Sequence, residues 1–331
     1  MTSSRRIPDE VARLPGEGRA GESRFALRKL YLPSTRLWVV AALVLGCAGV
    51  GASPAIAEPE PGAVAACASA QAAPAVPAGL PVLDWSENVG YDPGGNLWVS
   101  RLYRNEVQRY DSAGRLTASV PVESPGAIRL GPDGMLYVVS GNSPKTMLWP
   151  GGVVRFDPDD PEPAVFASGF TWPNGAAFDA QGDLYVASTL GVIRIRPDGT
   201  VDADWTARAK FTGANGIVVR DNSIYLSMNG NPLGRIVRFP IDDPGSVAVI
   251  ADVTVAPGIP DFVDDFVIDD AGVLYVTTLT GQLVRVDPGA HTACAVLTGE
   301  PMTSVVAVPG RSDELVAGTE SGTILRIRLP H

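Results

Sequence analysis

Histidine is almost missing from this chain. Only His291 and His331 occur among 331 residues, which disfavours a zinc centre, since zinc draws its ligands mainly from His and Cys. Cysteine is scarce as well, limited to Cys47, Cys67 and Cys294. Basic residues are in deficit, with 26 Lys and Arg against 36 Asp and Glu. No basic patch with interleaved aromatics stands in the body of the chain, so nucleic acid is not an expected partner. No segment sustains a 3.6-residue apolar period, which removes long amphipathic helices. The one long uncharged run, LWVVAALVLGCAGVGASPAIA over 37–57, is broken by Gly46, Gly49, Gly51 and Pro54. It fits poorly to the roughly 20-residue apolar span of a membrane helix.

That run has another use. Residues 1–36 carry eight Lys and Arg ahead of it, and Ala55-Ile56-Ala57 closes it with small residues. A basic flank, an apolar core and a small-residue exit read as an export signal over 1–57. Val44-Leu45-Gly46-Cys47 offers a second reading, a lipobox that would anchor the protein to a membrane through a lipid on Cys47. Leu45 is larger than the residue usual at its position, which favours the ordinary site; either reading places the protein outside the cytoplasm, secreted or associated with the cell envelope. Residues 1–57 hold eight of the 26 basic residues and four of the 36 acids, so the remainder carries 18 against 32, a formal net charge of −14. Residues 58–80 are rich in Ala and Pro and read as a linker without a core of its own. Cys67 and Cys294 are the only cysteines left after export, and an oxidising compartment favours bridging them.

From residue 81 to 331 one phrase recurs six times: a short apolar run, a turn, then a strand with an aromatic or apolar centre. The centres are Trp98, Tyr137, Tyr185, Tyr225, Tyr275 and Val316, at steps of 39, 48, 40, 50 and 41 residues. A further strand closes most copies with an Arg between apolar neighbours, as at Arg109, Arg155, Arg238, Arg285 and Arg326. About four short strands per unit at a period in the forties is the mark of a β-propeller, so the expected fold is all-β with six blades. Pro81–Trp85 is the expected strand for closing the ring.

The copies also share a polar register. Eleven positions before Trp98, Tyr185 and Tyr275 stand Glu87, Asn174 and Asp264, and ten before Tyr225 stands Asn215. The same count reaches Gly126 and Val305 in the other two copies. Singly, these residues suit turns, as Asn-Gly pairs commonly do. Together, if the copies surround one axis, they aim four oxygens at one point. Two carboxylates and two amides suit a hard divalent cation such as Ca2+, which takes about 6–8 oxygens and so leaves room for water and substrate.

Ser86-Glu87-Asn88, Trp172-Pro173-Asn174-Gly175, Gly213-Ala214-Asn215-Gly216-Ile217 and Val263-Asp264-Asp265-Phe266 resemble the four metal-ligand motifs of six-bladed calcium propellers. These form the senescence-marker-protein, gluconolactonase and luciferin-regenerating-enzyme family, related to the paraoxonases. The resemblance covers about 81–329. It implies a Ca2+ held by Glu87, Asn174, Asn215 and Asp264, hydrolysis of a lactone or related ester, and a ligand or general-base role for Asp264. Two departures stand out. Where paraoxonases carry an active-site His in the second blade, this chain has Ser124-Pro125-Gly126-Ala127. A second, structural calcium in paraoxonase-type members needs an acid after the Asn that matches Asn174; Gly175 stands there, so one metal is expected. Arg101, Asn142, Ser188 and Asn229, which follow the aromatic-centred strands, and Trp172 are the candidate substrate contacts. The competing expectation is a binding propeller in which the same calcium is structural and nothing is turned over.

Overall fold

The computed structural model describes residues 67–254 and 261–330. The expected export signal, with Cys47, lies outside the described residues. Six antiparallel sheets follow one another along the chain and form a six-bladed β-propeller. Their innermost strands are Ser86–Tyr91, Ile128–Leu130, Pro173–Phe178, Ala214–Arg220, Val263–Ile268 and Met302–Ala307, in blades 1 to 6. Each packs beside the next, and the last returns to the first.

Closure of the ring differs from expectation. The strand that completes blade 6 is Gln71–Val76, which pairs antiparallel with Ile324–Arg328. Residues 81–84, expected to close the ring, form a turn instead, and Asp84 Oδ2 accepts the backbone N–H of Gly79 and Leu80 at 2.7 and 2.6 Å. The closing strand needs little apolar content because it lies outermost, with Gln71 to Pro74 exposed. That is why QAAPAV passes for linker. Pro74 sits on this edge, where a missing N–H is tolerated. Cys67 is joined to Cys294 by a disulfide, with the two Cα atoms 5.5 Å apart, fastening the chain ahead of the closing strand to the outer strand of blade 5.

Blade 3 has only three strands. A six-residue helix, Ala203–Arg208, packs against its third strand, Gly191–Ile195. Asp202 caps it by accepting the backbone N–H of Trp205 at 3.1 Å, the usual role of Asp at that position. Buried Trp205 meets the Tyr185 ring edge-on at 5.2 Å. Six residues are too few to display a helical period.

The recurrent aromatic and the recurrent Arg prove to be one device. In five blades they stand opposite each other on adjacent strands, as Trp98–Arg109, Tyr137–Arg155, Tyr185–Arg194, Tyr225–Arg238 and Tyr275–Arg285, and in blade 6 Val316 takes the place of the ring opposite Arg326. The guanidinium lies over the ring at 5.7 Å for Trp98 and Tyr185 and 6.0 Å for Tyr137 and Tyr225, within cation–π range. The polar tip of the ring finds an Asp in the preceding turn: Trp98 Nε1 donates to Asp92, Tyr137 Oη to Asp133 and Tyr185 Oη to Asp179, at 2.9 to 3.0 Å. Burying an aromatic with a polar handle demands such a partner, so turn Asp, ring and Arg recur together.

Candidate metal and active site

The four register residues stand at irregularities in the innermost strands. Pairing with the second strand slips between Ser86 and Asn88, Pro173 and Ala176, Ala214 and Ile217, and Val263 and Phe266. Glu87, Asn174, Asn215 and Asp264 occupy those slips. A bulge releases a residue from the ladder and re-aims its side chain, here towards the axis. Two residues ahead of Asn174, Asn215 and Asp264, and of Gly126 in blade 2, the backbone turns through positive φ at Trp172, Gly213, Phe262 and Ser124, with values of 45°, 74°, 43° and 40°. Only Gly213 adopts this region freely; for the others it costs roughly 1–2 kcal/mol. These turns therefore set the angle at which the inner strands of blades 2 to 5 enter the channel.

In blade 6 the matching residue is Thr303 and not Val305. The centre of each second strand pairs with Gly90, Arg129, Ala177, Val218, Val267 and Val306. Counting three residues back from these gives 87, 126, 174, 215, 264 and 303. The turn of blade 6 is two residues longer than that of blade 1, so a fixed count back from Val316 stops two residues short. Thr303 is buried, and its hydroxyl donates to the Ser86 carbonyl.

Glu87, Asn174, Asn215 and Asp264 line one cavity of about 580 Å³, together with Trp85, Asn142, Lys145, Trp172 and Asn229. Glu87 is buried; its Oε2 accepts Trp85 Nε1 at 2.7 Å, and its Oε1 accepts Asn142 Nδ2 at 2.5 Å and Asn174 Nδ2 at 3.1 Å. The Asn215 side chain donates to Asp264. Burial raises the carboxyl pKa of Glu87 above its ordinary value, against the pull of those three donors. Burial lifts Asp264 well above the usual range, and Glu87 and Asp265 add to the shift. Every donor named on these two carboxylates is neutral.

This is the donor chemistry of a divalent cation site. Two buried carboxylates repel each other, and among the described residues no cationic side chain is bonded to either, a costly arrangement unless a counter-charge is supplied. Asn174 and Asn215 now present NH2 groups to the carboxylates; a half-turn of each amide would present oxygen instead. Glu87, Asn174, Asn215 and Asp264 thus fit the implied ion. No group of three or more His, Cys, Asp or Glu suited to a metal occurs among the described residues, so the amides are indispensable to the reading.

The expected substrate contacts divide. Asn142, Trp172 and Asn229 line the cavity; Arg101 and Ser188 do not. Arg101 is 2 % exposed and serves the fold: Nη1 donates to the Asp84 and Gly322 carbonyls, both at 2.7 Å, Nε to Gln108 and Nη2 to Tyr110. Ser188 Oγ accepts the Leu190 N–H at 3.2 Å. Lys145 and Tyr103 on the walls went unmarked in the sequence, because loop residues there carry no repeat register.

No family model matches this chain, and no curated protein sequence matches it. Solved structures do. A gluconolactonase from Xanthomonas campestris superposes with a TM-score of 0.58 at 16% identity, over 81% of this chain and 98% of that one. Regucalcin from Agrobacterium tumefaciens, described as a calcium-binding protein, gives 0.59 at 17% identity, over 78% and 97%. The PQQ-bound aldose sugar dehydrogenase of Streptomyces coelicolor gives 0.59 at 18% identity, over 80% and 99%. The first two agree with the resemblance read from the four motifs. The third shows that at such identities the likeness establishes the fold and leaves the chemistry to the site.

Proposed function

We propose that this chain is an exported, calcium-dependent hydrolase of lactones or related carboxylic esters. The observation that carries the reading is the convergence of Glu87, Asn174, Asn215 and Asp264, from four blades, on one cavity of about 580 Å³. The likeness to a gluconolactonase and to regucalcin supports it at low identity. When bound, a divalent ion would act as a Lewis acid on the ring carbonyl.

The protein's own groups divide the remaining work. Glu87, braced by Trp85, Asn142 and Asn174, supplies charge and a fixed direction. Asp264 receives the proton of the attacking water as the water oxygen bonds to the carbonyl carbon. That proton then passes to the leaving alkoxide as the ring C–O bond breaks. In the metal-free fold burial and the neighbouring Glu87 raise the proton affinity of Asp264, the direction that favours accepting a proton. Trp172 and Asn229 form opposite kinds of wall, one apolar and one able to donate and accept, for a compact ring with polar substituents.

A panel of sugar and aliphatic lactones, assayed with calcium and again with chelator, tests the reading. Chelator-sensitive hydrolysis of at least one member is the expected outcome. Calcium binding without hydrolysis of any member would favour the rival reading, a binding propeller in which the ion is structural.

A further inference from the structure

Beneath the four-oxygen ring the channel holds a second set of polar groups, and a side chain stands at its centre. Asn88 and Asp265 directly follow Glu87 and Asp264 in the chain, and both are buried. Asn88 Nδ2 donates to Asp265 Oδ2 at 3.0 Å, joining blade 1 to blade 5 across the channel. Arg129 of blade 2 reaches the same spot. Its Nη1 donates to Asn88 Oδ1 and to the Ile128 carbonyl, both at 2.8 Å, and its Nη2 lies 3.6 Å from Asp265 Oδ2. One guanidinium is thus surrounded by a carboxylate, an amide oxygen and a main-chain carbonyl from three blades. That is the oxygen set of a hard-cation site.

The residues in the corresponding place in blades 3, 4 and 6 are Gly175, Gly216 and Ser304, all uncharged. A Cβ at Gly175 would lie 2.2 Å from the Asn215 carbonyl, and one at Gly216 would lie 2.8 Å from Asp265 Oδ1, so a side chain fits in neither. Among the described residues the floor of the channel therefore holds one carboxylate, Asp265, and one guanidinium, Arg129, next to a ring that carries two carboxylates.

We propose that Arg129 is the resident cation of the channel floor: its guanidinium occupies a position that a divalent ion would otherwise take, and it holds Asn88 and Asp265 so that Glu87 and Asp264 face the ring. Arg129 is a positioning residue in this scheme. The proposal rests on the metal reading of the ring only for the number of ions the unaltered protein binds.

Calcium stoichiometry by titration calorimetry, with thermal melting in chelator and in calcium, tests it. Arg129→Ala should melt lower in chelator, by on the order of 10 °C, recover more in calcium than the unaltered protein gains, and bind one more equivalent than it does. Arg129→Lys, which keeps the charge, should bind the unaltered number. Arg129→Ala/Asp265→Asn should melt above either single variant in chelator and also bind the unaltered number, because the floor is neutral again. If Arg129→Ala does not fold, the comparison of the double variant with Asp265→Asn still decides. An unchanged stoichiometry in Arg129→Ala, or a double variant no more stable than Asp265→Asn, would overturn the proposal. An unaltered protein that binds no calcium would instead sink the metal reading of the ring, while the difference made by Arg129→Ala would still test the floor.

Discussion

Two carboxylates decide the behaviour of this site, and their roles separate by substitution. Asp264→Asn keeps an oxygen of the same size while removing a charge and the proposed base. Measured at saturating calcium, lactone hydrolysis should fall by on the order of 10²–10⁴; full recovery of activity would make Asp264 a ligand only. Glu87→Gln should weaken calcium binding by roughly tenfold or more, since charge count tunes such sites, and leave turnover at saturating calcium much less affected. Acidity supplies an independent test. Burial and mutual repulsion raise both carboxyl pKa values in the metal-free fold. The metal-free protein therefore gains stability from these groups below the unfolded carboxylate value of about 4 and loses it as pH rises through the raised folded values. A bound calcium ion would compete with protons for both groups. Its affinity should weaken as pH falls, with protons released on binding, and calorimetry in buffers of different ionisation enthalpy measures both.

At the scale of single elements, the closing strand and the disulfide act on the same seam and are separable. Deleting residues up to Val76 removes the strand paired with Ile324–Arg328 and bares that edge. Cys67→Ser/Cys294→Ser keeps the strand and removes only the cross-link, which joins residues 227 apart in sequence. Losing a cross-link typically costs roughly 2–4 kcal/mol, chiefly through the unfolded chain, or about 5–15 °C in melting temperature for a domain of this size. The deletion should cost more, because it removes the cross-link, a full set of ladder hydrogen bonds and the burial of Val76 together. Thermal melts of the two variants decide; equal losses would mean that the strand contributes nothing beyond its tether. The cysteine variant should bind calcium as before, since neither cysteine lines the cavity.

For the molecule as a whole, the channel is where the blades become interdependent. Ser100 Oγ of blade 1 donates to the Gly126 carbonyl of blade 2 at 2.6 Å, and Asn88 links blade 1 to blades 2 and 5. An ion drawing ligands from blades 1, 3, 4 and 5 would couple the ring further. Calcium should therefore raise the melting temperature of the whole propeller in one cooperative transition, by an amount set by ligand concentration over Kd. Differential scanning calorimetry that showed calcium shifting only part of a split transition would contradict that coupling.

Local spacing alone carried the six blades, because a blade repeats its turn Asp, its buried ring and the Arg opposite within some 25 residues, and each partner lies close in sequence. It carried Glu87, Asn174, Asn215 and Asp264 for the same reason: they stand ten or eleven residues before the ring of their own blade. The closing strand Gln71–Val76 escaped because an outermost strand buries almost nothing and its partner lies at the opposite end of the chain. Thr303 escaped because a turn longer by two residues breaks a fixed count. Arg101 has the composition of a substrate clamp, and only packing shows its donors already spent on Asp84, Gly322, Gln108 and Tyr110. Arg129 carries no local mark at all. Its place beside Asn88 and Asp265 depends on three blades meeting at an axis, a relation that exists only once the ring has closed.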